Sequence, residues 1–109
     1  MNHIKVEIFV PFNASENLMK EINNLGVLKE NNYDYCFSET VVKGHFRPLK
    51  GSNPTIGNID KIEVVDERKL EFRIFERDLK KVHSCILKNH PYEVPVVNYI
   101  RLLEVDDED

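Results

Sequence analysis

Apolar residues occupy every second position from Ile4 to Val10, with Lys5, Glu7 and Phe9 between them. That period of two predicts a strand with one buried face, closed by Pro11. The period then lengthens. Ala14, Leu18, Ile22 and Leu25 form one stripe at helical spacing, and Asn13 with Glu16 three positions on has the form of a capping box opening that helix. Gly26 suits the left-handed position beyond its end. A second strand is expected over Tyr33–Val42, a stretch rich in aromatic and β-branched residues. Lys43-Gly44 reads as a turn into a short third segment at His45 and Phe46, so a hairpin is expected there.

The pattern disappears from Arg47 to Lys61, where RPLKGSNPTIGNIDK carries two prolines, two glycines and two asparagines. Compact domains seldom keep so long an irregular stretch without a use for it. Alternation returns at Leu70, Phe72 and Ile74, with Lys69, Glu71 and Arg73 between. Glu76–Asn89 carries a helical stripe of Leu79, Val82 and Ile86, and His90-Pro91 ends it, because the residue before a proline avoids helical geometry. A last strand over Val96–Leu103 sets Val96, Ile100 and Leu102 on one face. The order strand, helix, two strands, helix, strand predicts an α+β fold: a ferredoxin-like βαββαβ sandwich, both helices on one face of an antiparallel sheet.

A chain of 109 residues suits one domain, here residues 1–103 followed by an acidic tail, 104–109. The net charge of −4 owes much to Glu104, Asp106, Asp107, Glu108 and Asp109, which are expected to be solvated. The rest is close to neutral, and no basic excess marks a nucleic-acid face. Apolar runs such as Val94–Val97 are too short for a bilayer, which excludes a membrane partner. The start, MNHIKVEIFV, shows no signal-peptide pattern, and the only cysteines, Cys36 and Cys85, are far apart. Both features point to a reducing, cytoplasmic location.

Three segments carry a resemblance. Gly44-His45-Phe46-Arg47-Pro48 followed by Gly51-Ser52-Asn53-Pro54-Thr55-Ile56-Gly57 resembles a G-x-F-R-P-x-x-G-x-x-P-x-x-G signature. It belongs to the PII/CutA-like insert domain of the NGG-interacting factor 3-like family, also described as dinuclear-metal-centre hexameric proteins. Val64–Glu71 looks like the acidic strand that follows in that domain. His90-Pro91-Tyr92-Glu93-Val94-Pro95 is similar to the segment opening its last strand, and equally to the HPYE segment of CutA divalent-cation-tolerance proteins. The resemblance runs from Ile4 to Leu103. It implies a stand-alone version of the insert, trimeric as PII and CutA proteins are, with ligands in clefts between subunits. It implies no settled activity. The flanking lobes that hold the family's dinuclear metal site have no counterpart in this sequence, so that metal chemistry does not carry over.

Candidate chemistry centres on two places. Arg47 offers a forked donor to a carboxylate or phosphate, Lys50 lies close, and Gly51 and Gly57 let backbone N–H groups approach an anion. The other reading is structural: Arg47 and Asn53 hold the loop while Pro48 and Pro54 stiffen it. In the second segment His90 titrates near neutrality, Tyr92 brings a donor, and Glu93 could accept from Arg47 or a ligand. Structurally, His90 could instead cap the helix end as a cation. Arg47, Lys50, Gly51, Asn53, Gly57, His90, Tyr92 and Glu93 are thus the candidate ligand-binding residues.

His3, His45, His83, His90, Cys36 and Cys85 show no metal-ligand spacing, so no metal or cofactor is assigned. A buried or interface histidine with a hydrogen-bonded partner is the expectation for His83. Cys36, His45 and His90 form a nominal nucleophile–base set without a catalytic motif, and Asp66-Glu67 reads as a solvated pair. The expectation is a binding, regulatory or assembly module, no enzyme, self-associating as a trimer and taking a small anionic ligand or a protein partner. The alternative, from the CutA resemblance, is divalent copper binding.

Overall fold

The computed structural model describes residues 2–105. The alternating first segment forms β1, His3–Pro11, with Ile4, Val6, Ile8 and Val10 buried. Pro11, extended at φ −64° and ψ 152°, is the N-cap of α1, Phe12–Asn23. No side chain caps this helix. The expected Asn13–Glu16 box therefore does not form: the proline opens the helix two residues earlier and leaves both side chains exposed. Ser15 is buried instead, donating to the Phe12 carbonyl at 3.1 Å and accepting from Arg68 Nη1 at 2.7 Å. At the other end Gly26, at φ +78°, returns an N–H to the Asn23 carbonyl as the sequence suggests.

β2 spans Ser38–Phe46 and runs straight through Lys43-Gly44, so the hairpin expected at that pair is absent. Its partner is β3, Glu63–Phe75, which starts seven residues before Leu70 and pairs with all of β2, from Ser38↔Glu71 to Phe46↔Glu63. The turn of this hairpin is the irregular stretch 47–62 itself. A 3₁₀ turn at Glu76–Asp78 leads into α2, Leu79–Asn89, with Val82 and Ile86 buried. β4, Val97–Arg101, then pairs antiparallel with β1.

The sheet order is β2-β3-β1-β4, every neighbour antiparallel, which is the βαββαβ arrangement expected. α1 and α2 cover one face, where Leu18, Met19, Ile22, Val82 and Ile86 close on Val6, Ile8, Leu70 and Phe72. The opposite face carries an ion lattice: Lys69 bridges Glu71 at 3.0 Å and Glu7 at 3.5 Å, and Lys5 meets Glu7 at 3.2 Å. These half-exposed pairs set which face stays wet more than they add stability. β1 ends at the Pro11↔Glu67 pair, beyond which β2 and β3 continue as a two-stranded arm. That arm accounts for an outline of 55 × 26 × 24 Å.

Val96 and Ile100 do share a face of β4, as expected, and it is the outward one. Register sets Tyr99 beside Val6 and Val97 beside Ile8, and cross-strand partners share a face. Val97 and Tyr99 therefore pack on the core while Val96 and Ile100 point outward. Burial pushes the Tyr99 hydroxyl up to about 12, and it pairs with Nδ1 of His83 at 2.7 Å. His83 has the partner expected of it but is exposed. Of the acidic tail, Glu104 is exposed while bonded to the His3 N–H and imidazole, and 106–109 lie outside the described residues. No described helix is long and apolar enough to cross a membrane. The β4 phase is testable by chemical denaturation: Tyr99→Ala should cost about 2 kcal/mol, and Ile100→Ala no more than about 0.5 kcal/mol.

Candidate ligand-binding cleft

Where the β2–β3 arm leaves the body, the sheet face away from the helices is covered by two irregular segments. One is the 47–62 loop. The other is the stretch from His90 to Val96, between α2 and β4. Both are pinned by identifiable bonds.

His90 is buried, although the helix-end reading had it as an exposed cation. Its Nδ1 accepts from the Tyr92 N–H at 3.1 Å, which leaves the proton on Nε2, donating to the Phe9 carbonyl at 2.7 Å. This neutral tautomer spans from the end of α2 to the central strand, and both nitrogens are occupied. Burial, the largest effect, holds its pKa below the usual histidine value of 6.5. The structure thus corrects the cationic cap: a charged ring here would lose an acceptor and its hydration together.

The next two side chains point in different directions. The Tyr92 hydroxyl donates to Glu67 Oε2 at 2.7 Å, and burial with that neighbouring carboxylate drives its pKa strongly upward. Glu93 Oε2 accepts from the Asn53 N–H at 3.0 Å, and the Thr55 hydroxyl donates to the Pro91 carbonyl at 2.8 Å. These bonds draw the loop against the HPYE segment, so Glu93 meets the backbone of Asn53 rather than Arg47. Ser52 N–H is used by the Leu49 carbonyl and Asp60 N–H by the Pro48 carbonyl. The loop amides at 52, 53 and 60 thus already have protein acceptors, which leaves less of an anion cradle than the two glycines suggest. Gly57, at φ +90°, sits where a Cβ would come within 2.5 Å of Glu63 Cγ, so its role is to let the loop close on β3.

Between the two segments and the sheet lies a cleft of about 410 Å³. Its floor is Phe9, Gly44, Phe46 and Glu67, and its walls include Pro54, Ile56, Tyr92 and Val96. Glu67 is only 6% exposed, the reverse of the solvated pair expected for Asp66-Glu67; Asp66, on the other face, does stay in solvent with Lys43 at 2.9 Å. The reason is Gly44. A Cβ there would lie 1.8 Å from Glu67 Oε1, so the missing side chain is the space the carboxylate occupies. A glycine inside a strand marks such a close approach, and that was the signal available for Glu67 in the sequence.

Among the candidate residues, Arg47, Tyr92 and Glu93 line this cleft. His90 supports it from behind. Asn53 contributes its N–H. Lys50 and Gly51 are exposed at the loop tip, away from the lining. Arg47 is exposed at the rim and has no hydrogen-bonding partner among the described residues.

Comparison with known proteins agrees with this geometry. No protein-family model matches the chain. Over 100 residues, 92% of its length, it is 46% identical to a Staphylococcus epidermidis protein named GTP cyclohydrolase 1 type 2 homolog. The chain is homologous to a part of that protein. It spans 27% of that relative's length, so the alignment concerns one segment of a larger molecule. A Bacillus cereus protein related to NIF3 superposes with a TM-score of 0.77 at 26% identity, over 93% of this chain and 25% of that one. CutA1 from Oryza sativa superposes with a TM-score of 0.72 at 17% identity, covering 99% and 86%, a likeness of fold alone. The resemblance expected from the motifs is therefore present in sequence and fold for the NIF3-related side, and in fold alone for CutA proteins.

The His90 tautomer makes stability pH-dependent. Its pKa is depressed in the folded state, so the unfolded chain takes up the proton first. The contribution is whole above about pH 6.5 and shrinks as pH falls from 6.5 toward the folded value. Urea midpoints between pH 8 and pH 5 should fall more steeply for wild type than for His90→Gln, whose amide cannot titrate. Parallel curves would show that the ring is not held neutral.

Proposed function

We propose that this chain is a small-molecule-binding regulatory or assembly module, and that the cleft under the HPYE segment and the 47–57 loop is its site. The observation behind this reading is the cleft itself. It has the volume of a small-ligand pocket, a largely apolar lining and few convergent polar groups. Its cover is tied down by bonds from Glu93, Thr55 and His90 before any ligand arrives. A preformed site of this kind orders little on binding.

Binding is favoured over catalysis because the groups that could react are committed or apart. Both His90 nitrogens are engaged, and Cys36 precedes β2 while His45 lies near its far end. The name of the Staphylococcus relative describes a protein more than three times as long, so that activity is not extended to this segment. Copper binding finds no support in the side chains: among the described residues no three His, Cys, Asp or Glu groups converge on one point.

Self-association completes the reading. β2 and β4 are both open sheet edges, and such edges pair readily with another copy. Native mass spectrometry of the purified chain is expected to show a trimer, and a bare monomer would remove the subunit-cleft version of the site. For the cleft, titration with a mixture of small aromatic acids and amines, followed through backbone amide shifts, should move residues 44–47, 67 and 92–96 together. Shifts scattered over α1 or α2 would sink the proposal. Arg47→Ala should leave stability within about 0.5 kcal/mol of wild type, while weakening the acidic members of that mixture.

A further inference from the structure

The polar group at the floor of the cleft is a carboxylate, opposite in sign to the ligand-reading group that Arg47 suggests. Its two oxygens differ. Oε2 takes the Tyr92 hydroxyl; Oε1 lies over the Cα of Gly44 and has no hydrogen-bonding partner among the described residues. Every wholly buried side-chain nitrogen or oxygen among those residues does have a partner. Oε1 is therefore the oxygen that remains open, and the cleft is what it opens on. No lysine, arginine or histidine among the described residues pairs with Glu67. On this sheet face Lys69 lies 5.9 Å from the Phe9 ring and is committed to Glu71 and Glu7.

We propose that the cleft takes a small ligand bearing an ammonium group on a compact apolar body, with the ammonium donating to Glu67 Oε1 and the body lying against Phe9, Phe46 and Val96. This rests on the cleft being a ligand site. A carboxyl group held in an apolar recess with a single donor is left short of partners, and a cationic donor supplies both charge and hydrogen bond. The aromatic rings agree in sign. Phe46 and Tyr92, tilted rings with centroids 6.4 Å apart, both line the cleft, and an aromatic ring attracts a cation placed over its face. An anion entering to the same depth would meet Glu67 on the floor and Glu93 on the wall. Arg47, at the exposed rim, is placed to meet an acidic group only on the solvent side of such a ligand.

The test compares two probes with the same body and opposite charge, phenethylamine and 3-phenylpropanoate, by amide-shift titration of wild type and Glu67→Gln. Glutamine keeps the shape and an acceptor for Tyr92 while removing the charge. The expected result is that phenethylamine binds wild type more tightly than 3-phenylpropanoate, and about tenfold or more weaker in the variant. Equal or tighter binding of 3-phenylpropanoate to wild type, with the shifts in the cleft, would leave the site standing and overturn its cationic preference. That comparison decides even if the variant does not fold. Unchanged phenethylamine binding in a folded Glu67→Gln would also overturn it. If neither probe moves the cleft amides, as when a second copy covers them, the ligand-site reading falls and takes this one with it.

Discussion

One imidazole holds the functional end of this molecule together. His90 reaches from just beyond the end of α2 to the carbonyl of Phe9 on the central strand, and turns its other nitrogen to the N–H of Tyr92. The first bond fixes where the chain stands after the helix, and the second fixes which way it leaves. Tyr92 is thereby delivered to Glu67 and Glu93 to the loop. The bond falls near the end of the β1–β4 ladder, beside the Phe9 N–H that still reaches the Val96 carbonyl. Helix exit, strand end and loop cover are thus coupled through a ring that works only while neutral, and its burial keeps it so.

The cleft that results needs two further choices in the sheet. β3 must outrun β1 so that an arm exists for the loop to fold back from, and β2 must carry a residue without a side chain opposite the arm's root. Gly44 meets the second need at the cost that glycine always brings to a strand interior. The gain is a recess deep enough for a carboxylate, which the ion lattice one pair further along the sheet shows to be the exception. There Glu7 and Glu71 stand beside Lys5 and Lys69, and the pKa of Glu7 is lowered chiefly by its bond from Lys5. Glu67, on the same face, has no such neighbour.

The sequence reading succeeded where burial imposes a period and failed where one residue can serve two purposes. Ile4 to Val10, the Leu18–Ile22 stripe and the Val82–Ile86 stripe each face a core that accepts only one phase, so their elements were legible. Val96 to Leu103 offers apolar residues in both phases, and only pairing with β1 decides between them. Lys43-Gly44 has the composition of a turn, yet the same glycine permits close approach inside a strand. Choosing the turn hid both the full length of β2 and the reason Glu67 can be buried. Asn13 and Glu16 had the spacing of a cap, but Pro11 already sets the backbone that a cap would otherwise select. Of the cleft, the residues in motifs were visible and those on the floor were not, because Phe9, Phe46 and Glu67 come together only through register.

Taken residue by residue, the fold itself explains most of the candidates. His90 joins helix to strand, Glu93 holds the backbone of Asn53, Thr55 holds Pro91, and Gly57 clears Glu63. Tyr92 is half explained, since its ring walls the cleft and its hydroxyl serves a group that the fold did not have to bury. What stability alone leaves without a purpose is Arg47, at the rim and unpartnered among the described residues, and the second oxygen of Glu67, open at the floor. A buried carboxylate is a costly way to fill space that an apolar side chain would fill at no such cost. The two leftover groups are opposite in charge and lie at opposite depths of one recess. A ligand with its ammonium inward and any acidic group outward would use both, and neither an anion cradle nor a metal cage would.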